Sequence, residues 1–151
     1  MKRPMINIRL MQNNDLDAIL SIDKLVLNVS RPGYYEQKFE RLFMSGEYLP
    51  TSLVAEDAEG MVVGFIMGEL YIGEYGLSND GATVDTIGVD PDFQNKGVGE
   101  LLMNEFIDHL KQLGVKRVRT LVEKTDKAMM HYFEKNRFQP SKTVINLERN
   151  L

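Results

Sequence analysis

Asp85-Thr86-Ile87-Gly88-Val89-Asp90-Pro91-Asp92-Phe93-Gln94-Asn95-Lys96-Gly97-Val98-Gly99-Glu100-Leu101-Leu102 runs from a strand-like segment through a short polar loop straight into a helical pattern. The first turn of a helix has backbone N–H groups without internal partners and lies at the positive end of the macrodipole. Such a terminus suits phosphate oxygens. Gly97 and Gly99 carry no side chain, so a bulky diphosphate can approach the backbone closely. Lys96 adds a mobile positive charge, and Gln94 can hydrogen-bond either a loop carbonyl or the ligand. The spacing makes neither a Walker A loop, because Gly99 is followed by Glu100-Leu101, nor a dinucleotide fingerprint, because position 102 is Leu102. The same two glycines are also compatible with nothing more than tight strand-to-helix packing.

Around this stretch the hydrophobic periodicity predicts the rest. Residues 82–89 read as a strand and 97–113 as a helix, with Val98, Leu102, Phe106, Leu110 and Leu113 on one face and Gly114 as its stop. Residues 115–122 form a further strand, 126–136 a last helix and 138–147 a closing strand. Upstream, 6–11 alternates as a first strand, and Asn13 or Asn14 caps a helix that carries Leu16, Ile19, Leu20 and Leu27. Ser30-Arg31-Pro32-Gly33 breaks that helix, and a second one covers about 32–43. Residues 52–56 and 61–67 flank Asp57-Ala58-Glu59-Gly60 as a β-hairpin. The order β-α-α-β-β-β-α-β-α-β predicts an α/β protein with a mixed sheet and helices on its faces.

Composition narrows the classes. The 151 residues are 43% hydrophobic, enough for one domain spanning 1–151, whereas two would each be short of core. No apolar run is long enough to span a membrane. Met1-Lys2-Arg3-Pro4-Met5 is followed by alternating residues rather than the apolar core of a signal peptide. The absence of cysteine removes disulfides, Cys-ligated zinc and thiol nucleophiles, and is compatible with the cytoplasm. A net charge of −4 and a pI near 5.2 make nucleic acid a poor partner. Lys116, Arg117 and Arg119 read as a solvated strand edge. His109 and His131 lack metal-ligand spacing, so no metal is expected.

Three linked strings resemble the GNAT superfamily of acyl-CoA N-acyltransferases. Gln94-x-x-Gly97-x-Gly99 is similar to its pyrophosphate motif, and Ile87-Gly88-Val89-Asp90-Pro91 to the strand that leads into it. Tyr132-Phe133-Glu134-Lys135-Asn136-Arg137-Phe138 looks like a third family string downstream. The resemblance covers about 52–138. It implies a mixed, mostly antiparallel sheet with a splayed parallel strand pair, acetyl-CoA as co-substrate, and acetyl transfer to a primary amine of a small molecule or protein. Backbone groups of Ile87, Gly88 and Val89 would pair with the pantetheine arm, with the Val89 N–H polarising the thioester carbonyl. Asn95, Lys96, Gly97, Val98 and Gly99 would hold the pyrophosphate. Asp126 aligns with an Asn that contacts pantetheine in relatives.

An amine that is protonated at neutral pH must lose a proton before it attacks. Asp85, an acid interrupting an apolar strand, and Glu123, at the end of the next strand, are the candidate bases. Many relatives protonate the leaving thiolate with a Tyr. Alignment puts Phe133 there, and Tyr132 is turned about 100° away on the same helix, so either the thiolate leaves unassisted or the register shifts by one and Tyr132 acts. Tyr71 and Tyr75, with Arg31, Tyr34, Tyr35 and Glu36, fall in segments that shape the acceptor entrance in relatives. The acceptor, the oligomeric state (a homodimer is one option) and use of longer acyl donors stay open. Phe133 keeps a second reading in play, a non-catalytic acyl-CoA-binding or sensing module.

Overall fold

The computed structural model describes residues 4–44, 51–70, 76 and 80–151. The chain folds into two compact units, Met1–Thr120 and Leu121–Leu151. The first holds β1 (Asn7–Leu10), α1 (Leu16–Leu27), α2 (Pro32–Phe39), β2 (Leu53–Glu56), β3 (Val62–Leu70), β4 (Gly81–Val89), α3 (Val98–Gln112) and β5 (Arg117–Arg119); α4 (Lys127–Lys135) lies in the second.

The strands form one sheet in the order β1-β2-β3-β4-β5. The first three junctions are antiparallel and β4–β5 is parallel. The β2–β3 hairpin closes with Gly60 at φ 80° and hydrogen bonds from Gly60 N–H to Asp57 O and from Asp57 N–H to Met61 O. Two glycines show which helix covers which face. A Cβ at Gly64 would meet Leu102 and Val98 of α3, and one at Gly88 would meet Phe65 and Ile22 of α1. Gly88 stands opposite Phe65, the residue after Gly64, and successive residues of a strand face opposite ways. So α3 covers one side, while α1 and α2 cover the other. The α1/α2 side buries Met11, Ile19, Ile22, Tyr35, Phe39, Val54, Phe65 and Met67. The α3 stripe Val98, Leu102, Met103, Phe106 and Leu110 is buried against the opposite side.

The α/β class, the mixed sheet and the α3 stripe from Val98 to Leu110 match expectation; Leu113, expected on that stripe, is the C-cap and is 41% exposed, and four further differences are in detail. Asn13 and Asn14 do not cap α1 but lie in a 3-10 turn, Asn13–Asp15, where the Asp15 carboxylate accepts from Gln12 N–H at 2.7 Å. The second helix keeps α geometry only to Phe39 and continues as a π-helical turn, Glu40–Met44. The strand expected over 115–122 has only three ladder residues. No strand forms over 138–147, because Ser141 Oγ accepts from the N–H groups of Thr143 and Val144 that a ladder would use. Ile145 and Leu147 are exposed there.

Candidate active site

The decisive local feature is a bulge in β4. Met67 pairs with Thr86 and Gly68 with Val84, so nothing on β3 stands opposite Asp85. An extra residue re-aims its neighbours. Thr83 and Asp85 share a side, since Thr83 Oγ1 donates to Asp85 Oδ1 at 2.9 Å. Thr86, on the far side of the bulge, also faces α2, with its hydroxyl 3.4 Å from Tyr35 OH. Two consecutive side chains, Asp85 and Thr86, therefore point toward one helix.

Beyond the bulge the main chain has a fixed polarity. Asp90 N–H donates to Val63 O at 2.8 Å, one step past the Val89–Gly64 pair in the same register. In an antiparallel ladder, pairs that exchange hydrogen bonds alternate with pairs that face away from each other. Hence Gly88 bonds Phe65, while the N–H and C=O groups of Ile87 and Val89 point to β4's other edge. On that edge the β5 ladder stops at Thr83–Arg119, and Thr120 Oγ1 caps Val84 O at 3.0 Å. Past this point β4 makes no further ladder pair there among the described residues. Gln94 Nε2 donates to Val89 O at 3.0 Å, which leaves the N–H groups of Ile87 and Val89 as the donors on that edge.

The strand then turns into α3. Asp90 caps a short 3-10 turn by accepting from Asp92 N–H at 2.9 Å. Asn95 at φ 60° and Gly97 at φ 84° both adopt left-handed backbone, which curls the loop onto the helix start. Gly97 is the N-cap and brings no side-chain acceptor to the first turn of α3. Lys96 is folded back, its Nζ 2.8 Å from Asp92 O and over the Phe93 ring. A hollow beside the helix start is lined by Pro4, Ile6, Lys96, Gly97, Val98 and Leu101. A helix start whose N-cap brings no side-chain acceptor, next to an unladdered strand edge, fits a ligand that carries both a diphosphate and amides, as coenzyme A does.

Two polar clusters support the bulge from α2. In the inner one, Arg31 grips buried Asp23 through both oxygens, at 2.9 and 2.6 Å, and Tyr35 OH donates to Asp23 Oδ1 at 2.8 Å. Burial opposes the Asp23 carboxylate, but the hydrogen bonds from Arg31 and Tyr35 outweigh it and hold its pKa below the ordinary value. Burial, with Asp23 adding to it, pushes the Tyr35 phenol up. In the outer cluster, Lys38 Nζ lies 2.6 Å from Asp85 Oδ2 and 3.6 Å from Glu69 Oε1, and Arg41 Nη2 lies 3.5 Å from Glu69 Oε2. Burial works against the Lys38 charge, yet its bond to Asp85 prevails and raises its pKa, so it stays an ammonium. The Tyr34 ring, 36% exposed, lies between Arg31, at 4.9 Å, and Lys38, at 5.8 Å. Burial raises its phenol pKa as well.

The sequence candidates thus fall in three places. Asp85, Ile87, Gly88, Val89, Gln94, Asn95, Lys96, Gly97, Val98 and Gly99 lie on the β4–α3 segment, and Tyr34 lies over Asp85's partner Lys38. Gly88 differs from expectation, since its main chain faces Phe65 rather than the unladdered edge. Tyr71 and Tyr75 lie outside the described residues. In the second unit, the Asp126 carboxylate accepts from Met129 N–H at 3.1 Å as the N-cap of α4. Glu123 is exposed there, and its carbonyl accepts from Asp126 N–H. Phe133 is buried, its ring edge-on to those of Tyr132 and Phe138. Lys38 and Glu69 were not anticipated. Glu69 carries the signal that marked Asp85, an acid inside an apolar strand, and Lys38 follows Tyr34 at the i+4 spacing of one helix face.

The model of the acetyltransferase (GNAT) family matches residues 16–138. The chain belongs to the GNAT acetyltransferase family. It is 35% identical over 141 residues to the mycothiol acetyltransferase of Propionibacterium freudenreichii, a match covering 89% of this chain and 43% of that one. The chain thus spans less than half the length of that relative. Two solved structures share the fold. The ribosomal-protein-S18-alanine N-acetyltransferase from Escherichia coli superposes with TM-score 0.73 at 24% identity, over 91% of this chain and 80% of the other. The aminoglycoside N-acetyltransferase AAC(6')-Iy, solved in complex with CoA, gives 0.75 at 16%, over 99% and 98%. Among the described residues, no helix is long and apolar enough to cross a membrane, and no three of His, Asp and Glu group to hold a metal ion.

Proposed function

We propose that this GNAT chain is a cytoplasmic N-acetyltransferase that moves the acetyl group of acetyl-CoA to a primary amine by direct attack in a ternary complex. The observation that carries the reading is the unladdered edge of β4, which presents the Val89 N–H and leads directly into the start of α3, where the N-cap Gly97 brings no side-chain acceptor. Ile87 and Val89 main-chain groups would pair with the pantetheine amides as a neighbouring strand does. Backbone N–H groups of Asn95 to Gly99 would hold the pyrophosphate, with Lys96 unfolding from Asp92 to join them. Acetyl-CoA supplies the activated acyl group. The acceptor nitrogen attacks the thioester carbonyl carbon, the C–N bond forms, the C–S bond breaks, and the electron pair leaves on sulfur. Val89 N–H stabilises the charge that builds on the carbonyl oxygen. The amine proton passes to Asp85 or Glu123, directly or through water.

Tyr34 lines the acceptor side in this reading; Tyr71 and Tyr75 remain acceptor candidates on sequence grounds alone. Asp126, engaged as a helix cap, contributes less to pantetheine than an Asn would. Phe133 cannot donate a proton, so the thiolate leaves unassisted or is protonated by Tyr132. For the same reason the alternative is a coenzyme A-binding module without turnover.

Two measurements separate these readings. Calorimetry with acetyl-CoA compares the parent chain with Gly99→Glu, which places a bulky anion at the helix start and weakens binding by about 2 kcal/mol, roughly thirtyfold in Kd. Thiol release is then followed with four probe amines: spermidine, an alanine-initiated peptide, an aminoglycoside and phosphinothricin. Binding with thiol release supports the enzyme, and binding without it supports the module. Equal binding by parent and variant refutes the site.

A further inference from the structure

The outer cluster contains a contradiction that points to a moving part. Asp85, a candidate base on β4, has a donor on each oxygen: Thr83 Oγ1 on Oδ1 at 2.9 Å and Lys38 Nζ on Oδ2 at 2.6 Å. Each oxygen keeps a second lone pair, but an ammonium at 2.6 Å already compensates the carboxylate's charge and makes it a poorer partner for a second cation or a proton. Glu69 shows the opposite condition. Its Oε1 is buried and has no hydrogen-bond partner, a costly state that native proteins seldom keep. The same Lys38 ammonium lies 3.6 Å from that oxygen, 1.0 Å farther than from Asp85 (3.6 − 2.6). A lysine has three rotatable donors on a flexible stem. A small swing of Nζ therefore satisfies Glu69 and releases Asp85 Oδ2. The Lys38 and Glu69 side chains are 16% and 15% exposed, whereas Asp85 is an exposed residue, so the Asp85 pairing is the one open to solvent and to an incoming cation.

We infer that Lys38 is a positioning residue that closes Asp85 in the resting chain and moves to Glu69 when a cationic acceptor takes its place at Asp85 Oδ2. The inference rests on the acetyltransferase reading above. Charge supports it. Lys38 and Arg41 balance Glu69 and Asp85 before and after the shift, so what the shift offers a cation is the local vacancy at Asp85 Oδ2. After the shift, the displaced ammonium remains beside the acceptor, and a nearby like charge favours loss of the acceptor's proton. The form that attacks is the neutral amine.

The test measures acceptor KM, acetyl-CoA KM and kcat for each probe amine that the parent turns over, in Lys38→Met, Lys38→Arg and Glu69→Gln, with melting curves as a folding control. Lys38→Met removes the competitor at Asp85 and lowers acceptor KM by about three- to fivefold, the scale of a partly screened ion pair. It also lowers kcat, because the displaced charge is missing. Glu69→Gln weakens the fallback position, holds Lys38 on Asp85 and raises acceptor KM by a similar factor. Lys38→Arg keeps the charge and stays near the parent, and this arm and Glu69→Gln carry the test if Lys38→Met does not fold. Acetyl-CoA KM stays constant throughout. Acceptor KM moving the same way in Lys38→Met and Glu69→Gln, or in neither, overturns the inference while the acetyltransferase reading stands. No thiol release by the parent with any probe overturns that reading and this inference with it.

Discussion

Gly88→Ala tests whether the β4 edge is held in place by packing from below. Gly88 does not adopt the left-handed backbone that would itself require glycine. Its reason is steric. An added Cβ would lie 2.7 Å from Phe65 Cε1, 3.0 Å from Phe65 Cζ and 3.4 Å from Ile22 Cγ2. The Phe65 ring has nowhere to go, being fully buried and edge-on to Tyr35 at 6.0 Å, and Tyr35 is tied by its hydroxyl to Asp23. One methyl forced into such a core costs about 1–3 kcal/mol. At this chain length each kcal/mol lowers Tm by about 2–4 °C. The alternative relief is for β4 to lift, which displaces the flanking Ile87 and Val89 and raises the Kd for acetyl-CoA. The assay is urea unfolding with calorimetry on Gly88→Ala, Phe65→Leu and the double variant. Phe65→Leu removes the ring atoms that clash, so the double variant should be more stable than the sum of the single effects by at least about 0.5 kcal/mol. Additive losses would show that Phe65 does not constrain Gly88. An unchanged Gly88→Ala would refute the packing argument altogether.

Two further expectations concern single carboxylates. Asp23→Asn should destabilise by about 1–3 kcal/mol at pH 7, less than the loss of a fully buried pair because the Arg31 side chain is 36% exposed and can rehydrate. The folded Asp23 pKa is depressed, so its contribution is present above the unfolded value of about 4 and fades as pH falls through the lower folded value. The gap between parent and variant in urea midpoint should therefore close below about pH 4, and a gap constant from pH 7 to pH 3 would refute the assignment. Asp126→Ala should cost about 0.5–2 kcal/mol through loss of the α4 cap, with Asp126→Ser restoring most of it. A rise in the Kd for acetyl-CoA that Ser does not reverse would instead give Asp126 a direct ligand role.

The parts of the site legible in the sequence were those encoded over short distances. The segment from Ile87 to Gly99 carries its own strand, turn and helix signals, so the β4–α3 junction could be placed from residue types alone. Asp85 was visible too, as an acid in an apolar strand. Its condition was not, because its partner Lys38 is 47 residues away and no local pattern couples them. The bulge was equally hidden, being a property of register between Met67–Thr86 and Gly68–Val84 rather than of either strand. The strand expected over 138–147 failed for a local reason that periodicity ignores. Ser141 competes for the Thr143 and Val144 N–H groups, a known tendency of serine beside irregular backbone.

The bulge explains why one short helix bears on so much of the site. Without it, Asp85 and Thr86 would face opposite sides of the sheet, one toward α2 and the other toward α3. With it, both face α2, where Lys38 and Tyr35 receive them three residues apart on one helical face. Tyr35 continues through Asp23 and Arg31 to the end of α1, and Lys38 continues to Glu69 on β3. The two clusters differ in how firmly they are held. The inner one has every strong contact at 2.6–2.9 Å around a buried carboxylate, whereas the outer one leaves a carboxylate oxygen without a hydrogen bond. In the proposed mechanism, the tightly held inner cluster that meets Thr86 at 3.4 Å would steady the Ile87–Val89 edge, while the under-satisfied Glu69 beside Lys38 would let the acceptor side rearrange. Catalysis by positioning needs both properties, and a misplacement of about 1 Å at the fixed half can cost a hundredfold in rate.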